Sequence, residues 1–236
     1  MVSIPRWVAV VLSAALALCL LLANSLLSVH ASATNIRLYR DLWVRLGVAE
    51  DTGMSMEDLT AAGEKLVDYL TGKSVSPQIL TRINGEERLL YNDKELLHLE
   101  DVRGLFLSGL TAEWLATVAS FALAFLLIKS GKHKEASVAM YASSILTVII
   151  LALAGMAASS DFTLFWDRFH RVTFDNDLWL LDPGKDWLIR MFPEPFFYAV
   201  VRRVAIHAAA GALTLALAGS LTGFLGKRRS GPEDAR

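Results

Sequence analysis

Four long, nearly uncharged segments constrain the fold of this chain more than any other feature of its sequence. Glu113 is the only Asp, Glu, Lys or Arg residue that they contain. The segments comprise residues 7–27, 104–128, 136–160 and 204–226. Because the hydrocarbon core of a bilayer needs roughly 20 helical residues, each segment can cross a membrane once. The sequence therefore predicts an all-α membrane protein, a four-transmembrane-helix bundle that forms a single integral membrane domain over residues 1–236.

The composition of the chain excludes two other classes of protein. With 54% hydrophobic residues and a mean hydropathy of +0.42, the chain is too apolar for a soluble enzyme with a single membrane anchor. The net charge is -1 and no basic domain is present, so we expect no nucleic-acid partner. The single cysteine, Cys19, allows neither an internal disulfide nor a cysteine metal motif.

Basic residues beside the apolar segments predict the orientation of the chain in the membrane. Lysine and arginine are enriched in cytoplasmic loops. Basic residues precede the first segment, connect the second to the third, and follow the fourth. They are Arg6, Lys129, Lys132, Lys134, Lys227, Arg228 and Arg229. We therefore expect a multi-pass protein of the cell membrane with cytoplasmic N- and C-termini, in which residues 28–103 and 161–203 are extracytoplasmic.

Two positions leave alternatives open. Arg202 and Arg203 lie at the outer end of the last apolar segment, where the rule does not expect basic residues. They either bind lipid headgroups or a partner, or extend along the membrane interface as snorkelling side chains. Residues 31–33 have the A-x-A form of a signal-peptide cleavage site, but the length of the first apolar segment favours an uncleaved membrane helix.

The first external segment, residues 28–103, predicts a small extracytoplasmic cap that contains one β-hairpin. Ser55 and Asp58 form a capping-box pattern, and apolar residues recur at helical spacing behind it. Asn84-Gly85 lies between two short strand-like stretches, which is typical of a two-residue hairpin turn.

The helix that leads into the second apolar segment carries the first candidate catalytic residue. Asn92 and Glu95 can cap this helix, and no Gly-Pro break separates it from the membrane. His98 lies just before the apolar segment. Asp101 is three residues further on the same helical face, where its carboxylate can accept an imidazole N–H and fix the tautomer.

The second external segment, residues 161–203, is short and rich in aromatic residues. An interfacial amphipathic helix with an aromatic belt explains this composition, and the same surface can also hold acyl chains. Asp186 can cap a short helix that begins at Trp187. This segment also holds the second candidate, His170, with Asp167 three residues before it.

The two histidines have a chemical and a structural interpretation. An imidazole titrates near neutral pH, so it can take and return a proton during acyl transfer. A histidine in an aromatic surface can equally be a hydrogen-bonded structural residue. No nucleophile elbow, H-E-x-x-H motif or P-loop is present. The roles of Glu113 and His207, which lie inside apolar segments, stay open.

Two motifs surround the candidate histidines. The first runs from His98 to Val102. The second comprises Phe169-His170, Phe174, Asn176-Asp177, Trp179, Asp182-Pro183, Asp186, Leu188-Ile189, Pro193 and Phe196-Phe197. Together with the four spans and the two outer loops, these motifs resemble those of the bacterial lipoprotein intramolecular transacylase family. The resemblance covers nearly the whole chain.

The resemblance implies an acyltransferase. Members of this family move an acyl chain from the sn-2 position of a diacylglyceryl group to the α-amine of the N-terminal Cys of a lipoprotein, which yields the lyso form. The partners it implies are a diacylglyceryl-modified lipoprotein and membrane lipid, with no cofactor and no metal. The expected catalytic residues are His98 and His170 at the outer surface, with Asp101 orienting His98.

A further group of residues is expected to bind the substrate. The expected substrate-binding residues are Arg202, Arg203, Phe169 and Trp179. Two alternative functions remain open from the residues alone. One is a membrane metalloenzyme in which His98 and His170 bind Zn²⁺. The other is a non-enzymatic membrane scaffold or sensor.

Overall fold

A computed structural model describes residues 4–229 of the chain. The helices are α1 (Arg6–Ala33), α2 (Ile36–Leu46), α3 (Val48–Thr52), α4 (Met56–Leu70), α5 (Asp93–Lys129), α6 (His133–Ser160), α7 (Phe162–Thr173), α8 (Trp187–Met191) and α9 (Glu194–Arg229). The two strands are β1 (Leu80–Ile83) and β2 (Glu86–Leu89), which pair antiparallel.

Four helices account for the apolar segments of the sequence. Within residues 4–229, α1, α5, α6 and α9 are long and apolar enough to cross a membrane. Large apolar side chains such as Trp114, Phe121 and Phe125 are exposed along them. A continuous apolar surface of this kind is expected to face lipid. The predicted fold class, a helical membrane protein with a four-helix membrane part and one β-hairpin, is confirmed.

Contacts between residues divide the chain into two compact units. The first unit contains the described parts of Met1–Val29, Leu110–Gly155 and Ala205–Arg236. The second unit contains His30–Gly109 and Met156–Val204. Both candidate histidines therefore belong to the second unit.

Small residues and serine hydroxyls join the helices of the first unit. Ser137 Oγ donates to the carbonyl oxygen of Gly219 at 2.7 Å, and Ser144 Oγ donates to that of Ala212 at 2.8 Å. Such interhelical bonds satisfy polar groups where no water is available. Gly211 packs so closely against Asn24 that a β-carbon at this position would overlap the amide side chain.

The local predictions for the second unit are largely confirmed. Ser55 Oγ accepts from the backbone N–H of Asp58 at 3.0 Å, and α4 begins at the next residue after Ser55. Asn84 and Gly85 have φ values of 51° and 86°, which suits the two-residue turn between β1 and β2. The helix after the hairpin, α5, continues without a break from Asp93 to Lys129.

Two short helices, α2 and α3, have no counterpart in the sequence predictions. The side-chain oxygen Oδ1 of Asn35 accepts a hydrogen bond from the backbone N–H of Leu38 at 3.1 Å and so caps α2. Buried residues Leu38, Tyr39, Leu42 and Trp43 recur at helical spacing on one face. The indole of Trp43 donates to the carbonyl oxygen of Met191 at 2.8 Å, which ties α2 to the end of α8.

Candidate active site

His98 and His170 lie side by side in the second unit. Their ring centroids are 6.3 Å apart, and both side chains line one cavity of about 220 Å³. His98 comes from α5 and His170 from the last turn of α7. The structure therefore brings the two candidate histidines together at one cavity.

A single hydrogen bond fixes the tautomer of His170. Its Nδ1 lies 2.8 Å from the backbone carbonyl oxygen of Trp166. A carbonyl only accepts, so Nδ1 carries the proton and the neutral ring has its lone pair on Nε2. Trp179 stacks on the ring with centroids 4.8 Å apart and 19° between the planes. This bond and the stacking ring hold the imidazole with Nε2 free to act as a base.

The burial of His170 favours its neutral form. Burial lowers the pKa of His170 below its ordinary value of 6.5, and the Trp166 carbonyl and the charge of Asp167 offset this fall only in part. Above pH 6.5 the ring is therefore predominantly an uncharged base.

His98 lies in the second turn of α5, before the apolar part of the helix begins. Only 7% of its surface is exposed, and the ring of Phe174 meets it edge-on at 5.4 Å. Within residues 4–229, its buried Nδ1 has no hydrogen-bond partner. Burial, with a smaller contribution from His170, lowers the pKa of His98 to about 4 against the opposing charge of Asp101. His98 is thus neutral at physiological pH.

Asp101 differs from the sequence prediction in its contacts. Its Oδ2 accepts from Asn176 Nδ2 at 2.9 Å, and the described part of the chain shows no hydrogen bond between Asp101 and His98. Asp101 acts on His98 through its charge, which raises the pKa of the imidazole. The bond to Asn176 also connects the two sequence motifs that contain the histidines.

The predicted substrate-binding residues lie in three different environments. Trp179 is buried in the histidine cavity. Phe169 meets His170 edge-on at 5.3 Å, and it also lines a neighbouring apolar cavity of about 370 Å³. Arg202 and Arg203 are exposed on α9 and are not among the described residues that line the histidine cavity.

A buried carboxylate, Glu95, supports the helix that carries His98. Its two oxygens accept from the backbone N–H groups of Leu188 at 2.6 Å and Asn92 at 2.8 Å. Burial raises the pKa of Glu95. Asp186 occupies the predicted N-cap position of α8, but its carboxylate makes no capping hydrogen bond and instead accepts from Asn92 and from the backbone of Asp182. Glu95 binds the first turn of α8 in its place.

Several residues of the cavity had no functional assignment from the sequence. In the sequence, Asp167 is distinguished only by its spacing from His170, and neither Trp166 nor Glu194 belongs to a catalytic motif. The remaining lining residues are Leu180, Leu181, Leu188, Ile189, Phe192 and Phe197. Glu194 begins a different helix from Asp167, so only the tertiary fold places both at one cavity.

The metalloenzyme alternative gains no support from the geometry. Residues 4–229 contain no group of three or more His, Cys, Asp or Glu side chains that could hold a metal ion. A catalytic zinc site usually needs three such protein ligands.

The fold and the cavity define a polytopic helical membrane protein with a buried pair of neutral histidines. A family model described as lipoprotein intramolecular transacylase Lit matches residues 14–197, and the chain belongs to this family. The resemblance inferred from the two motifs is therefore confirmed. No protein of curated function matches the sequence significantly.

Solved structures of one membrane protein share the fold. The chain is similar to the membrane integral Lit from Bacillus cereus at 19% identity, with a TM-score of 0.81 over 96% of this chain and 99% of that chain. Two structures of the same protein with a histidine replaced by arginine or by alanine match with TM-scores of 0.75. Both are 19% identical, and they cover 94% of this chain and 94% and 96% of their own. At this identity the similarity establishes the fold.

Proposed function

We propose that this chain transfers an acyl group within a diacylglyceryl-modified lipoprotein, from the sn-2 oxygen of the glyceryl group to the α-amine of the N-terminal Cys. Membership of a transacylase family supports an acyl-transfer enzyme. The observation that carries the particular reaction is the pair of neutral imidazoles in one cavity. Such a reaction must remove a proton from an amine and return one to an alkoxide.

His170 is suited to both proton transfers. Its Nδ1–H is bound by Trp166, so Nε2 receives a proton from the substrate nitrogen while the nitrogen lone pair attacks the ester carbonyl carbon. The resulting imidazolium then returns a proton to the glyceryl oxygen as the C–O bond breaks. The products are an amide at the Cys nitrogen and a free hydroxyl at sn-2.

His98 has a different role in this scheme, because its pKa is too low for it to hold a proton for long. A neutral imidazole still donates one N–H. We assign this N–H to the carbonyl oxygen of the ester, where negative charge develops in the tetrahedral intermediate. Asp101 acts on this ring through its charge, which opposes the fall in the pKa of His98.

The arrangement of the substrate explains why no activated acyl donor is needed. Donor ester and acceptor amine belong to one molecule, and well-oriented intramolecular reactions reach effective molarities of about 10⁵–10⁸ M. The aromatic walls of the cavity, including Trp166, Trp179 and Phe197, exclude water that would hydrolyse the ester.

The reacting groups of such a substrate lie at the level of the lipid headgroups. We therefore place the cavity at the outer surface of the membrane, with both termini in the cytoplasm. Phe169 and its apolar cavity are suited to an acyl chain. Arg202 and Arg203, exposed on α9, are suited to headgroup or glyceryl oxygens.

A synthetic diacylglyceryl lipopeptide with an isotope-labelled sn-2 acyl chain tests this function. The purified chain in lipid nanodiscs should move the label onto the N-terminal fragment while the total mass stays unchanged, as fragment mass spectrometry detects. An analogue with an sn-2 ether in place of the ester should give no product. In a mixture of labelled and unlabelled peptides of different sequence, the label should stay on its own peptide. Exchange between peptides, or no transfer at all, would contradict the proposal.

A further inference from the structure

The cavity that holds the two histidines carries a net negative charge. Among the described residues that line it, Asp167 and Glu194 are the charged ones, because both imidazoles are neutral near pH 7. Neither carboxylate forms an ion pair within residues 4–229. Lys94 is near His98, and its ammonium group donates a hydrogen bond to the backbone carbonyl oxygen of Leu180. The described residues that line the cavity therefore include two carboxylates and no Lys or Arg, while the guanidinium of Arg171 lies 5.8 Å from the ring centre of Trp179.

The two carboxylates come from different helices, and the side chain of Glu194 is exposed. Asp167 lies one turn before His170 on α7 and is half-buried. It is close enough to His170 for its charge to raise the pKa of the imidazole. The hydroxyl of Thr163 donates to Glu194, with its Oγ1 3.0 and 2.9 Å from the two carboxylate oxygens. A carboxylate has about four lone-pair sites, so Glu194 retains acceptor capacity for a ligand.

A third group in the cavity wall lacks a partner. His98 is more than nine-tenths buried, lines this cavity, and has a buried Nδ1 that no described residue satisfies. Buried polar atoms in native proteins are nearly always hydrogen-bonded. The two carboxylates without an ion-pair partner favour a cationic ligand, and the unsatisfied imidazole nitrogen in the same wall favours a ligand that also carries other polar groups.

We propose that Asp167 and Glu194 form a binding subsite for a primary ammonium group, the α-ammonium of the substrate's N-terminal Cys. This inference rests on the proposed acyl transfer. An α-amine has a pKa near 8, so the free substrate carries a positive charge at pH 7. Two charge-assisted hydrogen bonds to carboxylates leave the third N–H for Nε2 of His170.

The subsite also explains how product and substrate are distinguished. His170 takes one proton from the ammonium and releases it to solvent, and the neutral amine attacks the ester. Positive charge develops on the nitrogen as it attacks, before Nε2 of His170 takes its second proton, and both carboxylates stabilise that charge. When the second proton moves to the glyceryl oxygen, the amide product is neutral and loses its attraction to the subsite. Lipoproteins that already carry an N-acyl group are excluded for the same reason.

Binding of a substrate analogue that cannot react tests the subsite without catalysis. The probe is a fluorescent lipopeptide with an sn-2 ether, prepared with either a free or an acetylated N-terminus, and titrated against the chain in nanodiscs at pH 7. We expect the wild-type chain to bind the free-amine probe about tenfold more tightly. The double variant Asp167→Asn, Glu194→Gln should lose this preference and bind the acetylated probe as the wild type does. Asp175→Asn removes an exposed charge from the same segment and should keep the preference.

The outcomes separate this inference from the proposed function. If the double variant fails to bind the acetylated probe, Asp167→Glu and Glu194→Asp keep the charges and should keep the preference. With the ester substrate, Asp167→Asn and Glu194→Gln should each raise KM about three- to tenfold and change kcat less. A wild-type chain that transfers the acyl group but binds both probes equally, or a double variant that keeps the preference, would overturn the subsite alone. Preference without any transfer would overturn the proposed function alone.

Discussion

The buried carboxylate of Glu95 accepts a hydrogen bond of 2.6 Å from the backbone N–H of Leu188. Glu95 lies in the first turn of α5, three residues before His98. Leu188 is the second residue of α8 and lines the histidine cavity. Because Glu95 also accepts from the backbone of Asn92, one carboxylate holds the start of α5 against the second external segment. The geometry of the cavity depends on this carboxylate.

Replacing Glu95 with glutamine should disturb both stability and activity. The carboxamide has one acceptor oxygen, so one backbone N–H that Glu95 satisfies would face an NH₂ group. A buried donor left unsatisfied costs about 1–3 kcal/mol. We expect Glu95→Gln to lower the melting temperature and to reduce the transfer rate at least about tenfold, because a small displacement of catalytic groups is costly. Glu64→Gln, on an exposed position of α4, is the control. A variant with unchanged melting temperature and rate would show that the geometry of the cavity does not depend on Glu95.

The ring of Trp179 should matter through its stacking on His170. Trp179→Ala leaves a cavity and frees the imidazole, so we expect kcat to fall about tenfold or more, whereas Trp179→Phe should retain most of the rate. Trp187→Ala removes an indole from the same external segment but not from the cavity. Steady-state kinetics on the lipopeptide should separate the two positions. Equal effects of the Trp179 and Trp187 substitutions would show that stacking on His170 is irrelevant.

The pH profile should reflect the depressed pKa of His170. A base works only when unprotonated, so activity is present above its folded-state pKa and is lost as the pH falls through that value. Because burial holds this pKa below 6.5, the enzyme-dependent break in the rate should lie below pH 6.5. Asp167 raises the pKa of His170, so Asp167→Asn should move the break to still lower pH. A break above pH 6.5, or one that moves upward in the variant, would contradict the assignment.

The orientation of the chain can be measured with single cysteines in a Cys19→Ser background. Cysteines at Lys73 and Lys185 should react with a membrane-impermeant thiol reagent in intact cells, and one at Lys134 should react only after lysis. All three side chains are exposed. Labelling of Lys134→Cys alone in intact cells would place the histidine cavity on the cytoplasmic side.

The sequence predicted those parts of the fold that depend on local physics. Charge-free length predicted the four membrane helices, and Ser55 and Asn84-Gly85 predicted a helix start and a turn because their side chains or backbone act on neighbours in the sequence. Helix α2 was missed although Leu38, Tyr39, Leu42 and Trp43 show the same kind of helical pattern.

The site was predictable only in part, for a physical reason. His98 and His170 were recognised as residues, but their pKa values depend on burial that no spacing reveals. The bond from Leu188 to Glu95 joins residues far apart in the chain and replaces the local cap expected from Asp186. Glu194 reaches the cavity through tertiary folding alone.

The most direct test of the central claim is the transfer of a labelled sn-2 acyl chain by three versions of the protein, followed by fragment mass spectrometry. The wild-type chain and His133→Ala, which removes an imidazole of the first unit, should place the label on the N-terminal fragment at similar rates. His170→Ala should lower that rate by about 10²- to 10⁴-fold, as expected for a general base, while its melting temperature stays near that of the wild type. A folded His170→Ala variant that transfers the label at the wild-type rate would contradict the account.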